Sequence, residues 1–135
     1  MTRARTQLLI MAMYVVFGFT ALLTPGVMLD ILGTAEVDRS PVAYMLIRGI
    51  GATGLGAALA LFFFIADATS GRRMMRAVAA LEATVIVGVA LSLGADDLPG
   101  RAAVVVFLWS GLLVLLNLYG GFLAPISMES STEDS

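Results

Sequence analysis

Four long apolar runs, separated by short polar segments, set the pattern of this chain. They cover approximately residues 8–23, 42–66, 74–93 and 102–124. A helix needs about 20 apolar residues to cross the hydrocarbon core of a bilayer. Inside lipid, backbone N–H and C=O groups must be bonded within the segment, so each run is predicted to be helical. The pattern predicts an all-α membrane protein, built as a four-transmembrane-helix bundle.

Proline and glycine predict where several helices begin and end. Ser40-Pro41 is typical of an N-cap followed by the first residue of a helix, and it predicts the start of the second span. Thr24-Pro25 has the same form, and Gly33 is a natural helix stop. Residues 25–32 are therefore predicted to form a short helix that lies at the membrane interface. The other boundaries are predicted after Ser70-Gly71, at 97–100 and at Gly120-Gly121 with Pro125.

Charged residues predict the domain limits and the orientation. Residues 1–126 are predicted to form one transmembrane domain, and the acidic, polar residues 127–135 a disordered tail. Five arginines flank the first span or lie between the second and third, against two in the other loops: Arg3, Arg5, Arg72, Arg73 and Arg76 against Arg39 and Arg101. Because cytoplasmic loops are enriched in arginine and lysine, both termini are predicted to be cytoplasmic.

The composition narrows the classes of function. The chain is 59% hydrophobic and 13% charged, with neither cysteine nor histidine, whereas soluble domains are about 25% charged. Disulfides, metal sites built on cysteine or histidine, and catalysis by either residue are excluded. No nucleophile and base are arranged together, so neither an enzyme nor a metal site is expected. A net charge of −2 gives no reason to expect a nucleic-acid partner.

Two ionisable residues lie inside the predicted spans, Arg48 in the second and Glu82 in the third. At a rise of about 1.5 Å per residue, their Cα atoms differ in depth by less than about 10 Å. Consecutive helices are commonly neighbours, so Arg48 and Glu82 are predicted to pair, with Tyr44 one turn away as a hydrogen-bonding partner. The pair would fix the helix register, or contact a lipid headgroup, a lipophilic ligand or a neighbouring subunit, or let Glu82 carry a proton.

Other polar and aromatic residues are predicted to act in packing. Asn117 and Tyr119 in the fourth span are predicted to hydrogen-bond between helices. Tyr14 is read as a lipid-facing or packing aromatic. Trp109 falls near mid-depth rather than at an interface, so it is expected to pack against another side chain.

The second span is rich in glycine. Four glycines follow one another at short spacing: Gly49, Gly51, Gly54 and Gly56. Residues 49–54 spell a dinucleotide-binding motif, but no strand precedes them and they lie inside a membrane span. The glycines, together with the small-residue pairs Ala52/Gly56 and Gly54/Ala58, instead predict close helix packing. Packing within the chain is favoured over packing on a partner, and both remain open.

Parts of the first half resemble a known group of membrane proteins. Residues 25–33 (PGVMLDILG), and residues 48–51 (RGIG) followed by Leu55-Gly56, are similar to segments of the small four-helix bacterial membrane proteins of the DoxX-like type, many of unknown function. The second half matches them only in having two spans. The resemblance implies a four-helix bundle and, in some relatives, an accessory role beside a membrane oxidoreductase. It implies no catalytic residue.

These observations favour a non-catalytic accessory, assembly or structural subunit of a bacterial inner-membrane complex, respiratory or photosynthetic, that packs laterally through apolar helix faces. Its expected partners are the lipid bilayer and other membrane subunits or a second copy of itself, and no cofactor is required. Two alternatives stay open. One is a small homo-oligomeric transporter or channel with Arg48 and Glu82 at its centre. The other is a binder of a lipophilic molecule such as a quinone, carotenoid or lipid.

Overall fold

The computed structural model describes residues 1–35, 39–94 and 100–125. Those residues form α-helices and no strand: α1 (Arg3–Leu23), α2 (Pro25–Leu32), α3 (Pro41–Phe63), α4 (Ala68–Gly94) and α5 (Gly100–Leu118), the last continued by a wider π-helical turn (Tyr119–Leu123). All except α2 are long and apolar enough to cross a membrane. The predicted fold class, a four-helix membrane bundle, is confirmed.

The short helix α2 has the predicted bounds. It ends at Gly33, whose φ of 77° is in the left-handed region that favours glycine. The N–H of Gly33 bonds to the carbonyl of Asp30 at 3.0 Å and closes the last turn. Met28 and Leu29 of α2 are buried against α1 and α3. This helix therefore closes the end of the bundle at which α1 ends and α3 begins.

The helix starts agree with the prediction at α3 but not at α4. The hydroxyl of Ser40 accepts the N–H of Ala43 at 3.2 Å, as expected of an N-cap. The start predicted after Ser70-Gly71 is wrong, because α4 begins at Ala68. The carboxylate of Asp67 accepts the N–H groups of Thr69 and Ser70 at 3.1 and 3.0 Å and caps the helix there. An aspartate directly before the helix is thus the true start signal.

Two predicted features fall largely or wholly outside the described residues. The turn predicted at 97–100 is described only at Gly100, which begins α5. The tail predicted at 127–135 lies outside them entirely.

The spanning helices pack as two close pairs, α1 with α3 and α4 with α5. Gly18 of α1 faces Gly51 of α3, and a Cβ added to Gly51 would lie 2.8 Å from the carbonyl oxygen of Gly18. Two backbones approach this closely only where neither carries a side chain. Each close pair therefore joins two consecutive spans, the first with the second and the third with the fourth.

The two pairs meet through a buried core in one half of the bundle. Its largest fully buried side chains are Ile10, Leu61, Met75 and Leu113, one from each spanning helix. A second buried cluster joins α2 to α1 and α3 and consists of Ala21, Met28, Leu29 and Ile47.

Glycines shape the end of the fourth span, as predicted. From Tyr119 the helix widens into the π turn, in which the N–H of Ala124 bonds to the carbonyl of Tyr119 at 2.8 Å. A Cβ on Gly121 would meet Cγ of Arg76 at 3.0 Å, so the glycine lets α4 pass close by. The helix then ends before Pro125.

Candidate functional site

An apolar groove of about 950 Å³ lies between the two helix pairs, in the half of the bundle nearer α2. All five helices contribute to its walls, for example through Phe17, Met28, Ile50, Val85, Val106 and Trp109. Few of its side chains are polar: Tyr14, Thr20, Thr53, Glu82 and Ser110. A volume near the upper end of the usual range for small-molecule sites, with few polar groups, is typical of a ligand pocket.

The one ionisable carboxyl among the described residues that line the groove belongs to Glu82 on α4, whose residue is only 8% exposed. The hydroxyl of Tyr14 on α1 donates to its Oε1 at 2.5 Å. Glu82 accepts no other hydrogen bond from the parts of the chain that are described. A carboxylate has about four lone-pair directions, so most of its acceptor capacity remains for a bound molecule.

The predicted pairing of Arg48 with Glu82 is wrong. Arg48 is exposed on α3. Within the described residues, the ion pair that forms joins Arg39 to Asp30, between the linker that precedes α3 and helix α2. Arg39 also donates to the carbonyl of Thr34.

The reason lies in how α3 is turned. It buries Ile47, Gly51 and Gly54 against α1. Arg48 follows Ile47 by about 100° of helix rotation, which takes its side chain off the buried face. The helix that reaches Glu82 is α1, through Tyr14. The second and third spans, α3 and α4, are consecutive but have only slight contact, so a polar residue of α3 does not meet Glu82.

Tyr44 also lies away from Glu82. It is half-buried and packs against the cluster of Ala21, Met28, Leu29 and Ile47 beneath α2. Its ring lies near Gly26, where a Cβ would be 3.9 Å from the tyrosine hydroxyl. The predicted hydrogen bond from Tyr44 to an Arg48–Glu82 pair is thus also wrong.

The two polar residues predicted to link helices behave differently. Asn117 is fully buried, but its Nδ2 donates to the carbonyl of Leu113 in its own helix at 2.9 Å. Its Oδ1 has no partner among the described residues, so no link to another helix forms there. The hydroxyl of Tyr119 donates to the carbonyl of Met1 at 3.0 Å, so it ties the end of the fourth span to the segment that precedes α1 and not to another helix.

The glycines of α3 divide into two pairs. Gly51 and Gly54 face α1, so they pack within the chain. Gly49 and Gly56 have no atom within 4 Å of an added Cβ. With Ala52 they form an exposed strip of small residues on α3.

Sequence reasoning missed the polar cluster at the opposite end of the bundle. Arg3 is only 6% exposed, and its guanidinium donates to the carbonyl of Ile65 at 2.6 Å and to Oε1 of Gln7 at 3.0 Å. Gln7 in turn donates to the carbonyl of Leu61 at 2.5 Å. These side chains of α1 satisfy carbonyls at the end of α3, where a helix lacks partners of its own.

Two arginines of α4 do the same for the end of the fourth span. Arg72 donates to the carbonyl of Ala124 at 2.8 Å, and Nε of Arg76 donates to that of Gly121 at 3.0 Å. The guanidinium of Arg76 also lies 4.0 Å from the ring centroid of Phe122. Basic residues at helix C-termini are stabilising because they meet the negative end of the helix dipole. The sequence indicates these arginines as an orientation signal, and the structure adds their role at the helix end.

Trp109 forms part of the groove wall. Its ring stacks on that of Phe17, with centroids 5.4 Å apart and an interplanar angle of 26°. The tryptophan expected to pack against a side chain thus joins α5 to α1.

No family model, curated protein or solved structure matches the chain. The four candidate spans define the class, a multi-pass α-helical membrane protein.

Proposed function

We propose that this chain is a non-catalytic membrane protein that binds a lipophilic molecule in the groove. The observation that carries the proposal is Glu82, more than nine-tenths buried in an apolar groove with Tyr14 as its hydrogen-bonding partner. A buried polar group destabilises a structure unless it is hydrogen-bonded. An apolar molecule with a hydroxyl or amine at one end would supply donors to the carboxylate, as quinols, hydroxylated carotenoids and many lipids do.

The rim of the groove supports entry from the bilayer. Val16, Ile50 and Val85 line it and are 66%, 51% and 40% exposed. Aliphatic side chains at such positions face lipid tails in a membrane-spanning bundle. A lipophilic molecule would therefore enter sideways, without crossing water.

The test compares the molecules that copurify with the protein and its variants from native membranes in mild detergent. Val106→Phe narrows the groove, and Leu108→Phe adds the same ring on the same helix at a position 70% exposed and outside the groove. We expect mass spectrometry to find a lipophilic molecule on the wild type and on Leu108→Phe, and at least about fivefold less on Val106→Phe. Equal amounts on all three proteins would contradict the proposal.

A second measurement uses the single tryptophan of the chain as a reporter. Titration with a decyl-quinol, which carries hydroxyl donors, should quench Trp109 saturably. Glu82→Gln keeps the size of the side chain but removes the carboxylate, and should weaken binding about tenfold, the effect of one hydrogen bond to a charged group. Unchanged affinity of that variant for the decyl-quinol would show that Glu82 does not contact the ligand.

An accessory subunit of a bacterial inner-membrane complex, respiratory or photosynthetic, is the second candidate. It is supported by the exposed strip of Gly49, Ala52 and Gly56, which offers a smooth surface for the helix of another subunit. The resemblance to the DoxX-like proteins favours the same role. A stoichiometric membrane partner in the native purification, lost in Gly56→Leu, would support it. No comparable observation favours a transporter centred on Arg48 and Glu82.

We also propose that both termini are cytoplasmic. This orientation is supported by the five arginines that flank the first span or lie between the second and third spans. The chain has no cysteine, so single-cysteine variants can be labelled cleanly. In intact cells, an impermeant maleimide should label Thr34→Cys and leave Thr2→Cys unlabelled. The reverse pattern would invert the orientation.

A further inference from the structure

A second cavity, of about 370 Å³, lies at the end of the bundle where α4 begins. Five of the described residues line it, three of them arginines: Ala68, Thr69, Arg72, Arg73 and Arg76. Among the residues that the structure describes, no carboxylate is part of this lining. The cavity is separate from the groove and shares no residue with it.

Hydrogen bonds to backbone carbonyls hold two of the three arginines in place. Arg72 and Arg76 are anchored by the carbonyls of Ala124 and Gly121, as described above. Each guanidinium has five N–H donors, so these anchors leave most donors unused. Nε of Arg72 is buried and has no partner among the described residues. Arg73 is exposed and forms no ion pair within them.

We propose that this cavity binds a phosphate group, carried by a lipid headgroup or free in solution. Guanidinium groups match the geometry of phosphate oxygens and bind them through charge-assisted hydrogen bonds. The cavity lies at one end of a membrane-spanning helix, the level at which lipid phosphates are found. This inference does not rest on the groove or its ligand.

The start of α4 is not what would hold the phosphate. Asp67 already occupies the N–H groups of Thr69 and Ser70. Hydrogen bonding by Ser70, through its side chain and its backbone N–H, lowers the pKa of Asp67, so this carboxyl is ionised at neutral pH and committed to the helix cap. The arginine side chains are therefore the groups that supply contacts to an anion.

The chain itself contains competing anions. Glu129, Glu133 and Asp134 follow α5 in the sequence, outside the described residues. A variant with all three changed to amides therefore belongs in the experiment, because it separates a phosphate from the chain's own carboxylates.

The experiment measures lipid binding to the full chain by native mass spectrometry in a neutral detergent. The two lipids are phosphatidylglycerol and a diacylglycerol with the same acyl chains but no phosphate. Arg73→Gln removes one arginine of the cavity that makes no hydrogen bond within the described residues. Arg5→Gln is the matched control, because Arg5 is exposed near the same end and does not line the cavity.

We expect phosphatidylglycerol to bind in preference to diacylglycerol, and Arg73→Gln to weaken its binding about tenfold. Arg5→Gln should change it less than twofold. Displacement of the lipid by millimolar inorganic phosphate would assign the site to free phosphate as well, and failure to displace it would assign it to the headgroup.

Two results would overturn the proposal. Equal losses in Arg73→Gln and Arg5→Gln would show that only the general positive charge of this end attracts the lipid. Binding that appears only in the amide variant of the tail would show that the chain's own carboxylates occupy the cavity.

Discussion

The two halves of this bundle use the same four helices to opposite effect. At the arginine-capped end, defined by Arg3, Gln7, Arg72 and Arg76, polar side chains bond to the carbonyls of neighbouring helix ends and the bundle is closed. In the grooved half, defined by Tyr14, Glu82, Val106 and Trp109, one hydrogen bond spans an open space. In lipid, apolar surfaces gain little by leaving the solvent. Helices therefore pack closely where polar groups or small residues hold them together, and elsewhere they leave space for an apolar ligand.

The largest effect is expected at the arginine-capped end. Arg3→Met should destabilise the bundle by about 3 kcal/mol, because it leaves buried carbonyls and Gln7 without their charged donor. Arg5→Met removes the same charge from an exposed position and should change stability by less than about 0.5 kcal/mol. Unfolding by SDS in mixed micelles, followed by circular dichroism, measures both. Equal losses would show that this end is held by overall charge and not by capping.

The next effect concerns the contact that holds the first helix pair together. Gly51→Ala should destabilise by about 1–3 kcal/mol, because its Cβ meets the backbone of Gly18 and neither backbone can yield. Gly56→Ala, on the exposed strip, should be neutral or stabilise by up to about 1 kcal/mol through helix propensity. The same SDS titration separates them. A tolerated Gly51→Ala would mean that α1 and α3 do not need so close an approach.

A smaller effect is expected in the grooved half. Tyr14→Phe should cost about 1 kcal/mol, the usual contribution of a hydrogen bond between membrane helices. In a protein that already carries Glu82→Leu, the same change should cost almost nothing, because the acceptor is gone. A double-mutant cycle measures this coupling. A loss as large as that of Arg3→Met would mean that both halves depend equally on buried polar contacts.

The smallest effect is pH-dependent and lies at the capped end. The pKa of Asp67 is lowered below its ordinary 3.8 by hydrogen bonding from Ser70. A carboxyl with a lowered pKa stabilises the folded state fully above its ordinary value, and the contribution is lost as pH falls through the lowered pKa. Asp67→Asn should therefore flatten the loss of stability as pH falls below the ordinary carboxyl pKa of 3.8. An unchanged slope would remove Asp67 from the cap.

The fold was largely predictable, because membrane helices follow from length and hydrophobicity. The bounds of α2 followed from Pro25 and Gly33, and the start of α3 from Ser40. The start of α4 was misplaced because Ser70-Gly71 is a plausible boundary by composition, whereas the cap is Asp67, three residues earlier. Boundaries depend on side-chain geometry that composition does not contain.

The candidate site was predicted only in part. The sequence predicts Glu82 as a polar group inside the bundle, and it is buried there, but its hydrogen-bonding partner is Tyr14 and not Arg48. The error came from assuming that the second and third spans pack closely, when the close pairs are α1 with α3 and α4 with α5 and α3 has only slight contact with α4. The groove could not be predicted, since a cavity depends on how far apart two helix pairs stand. The sequence shows the capping arginines near the predicted helix ends, but it does not show which carbonyls they bind.

The close contact between Gly18 and Gly51 also bears on how the chain assembles. The first pair of spans is complete once α3 has entered the bilayer, before α4 and α5 have been synthesised. The hairpin of α4 and α5 then packs against an α1–α3 pair that is already formed. The groove is the space that remains between the two pairs. Cutting the polypeptide between Ile65 and Asp67 would leave the Ile65 carbonyl with Arg3 and the Asp67 cap with α4, so this connection is the natural place to divide the protein into two co-expressed fragments.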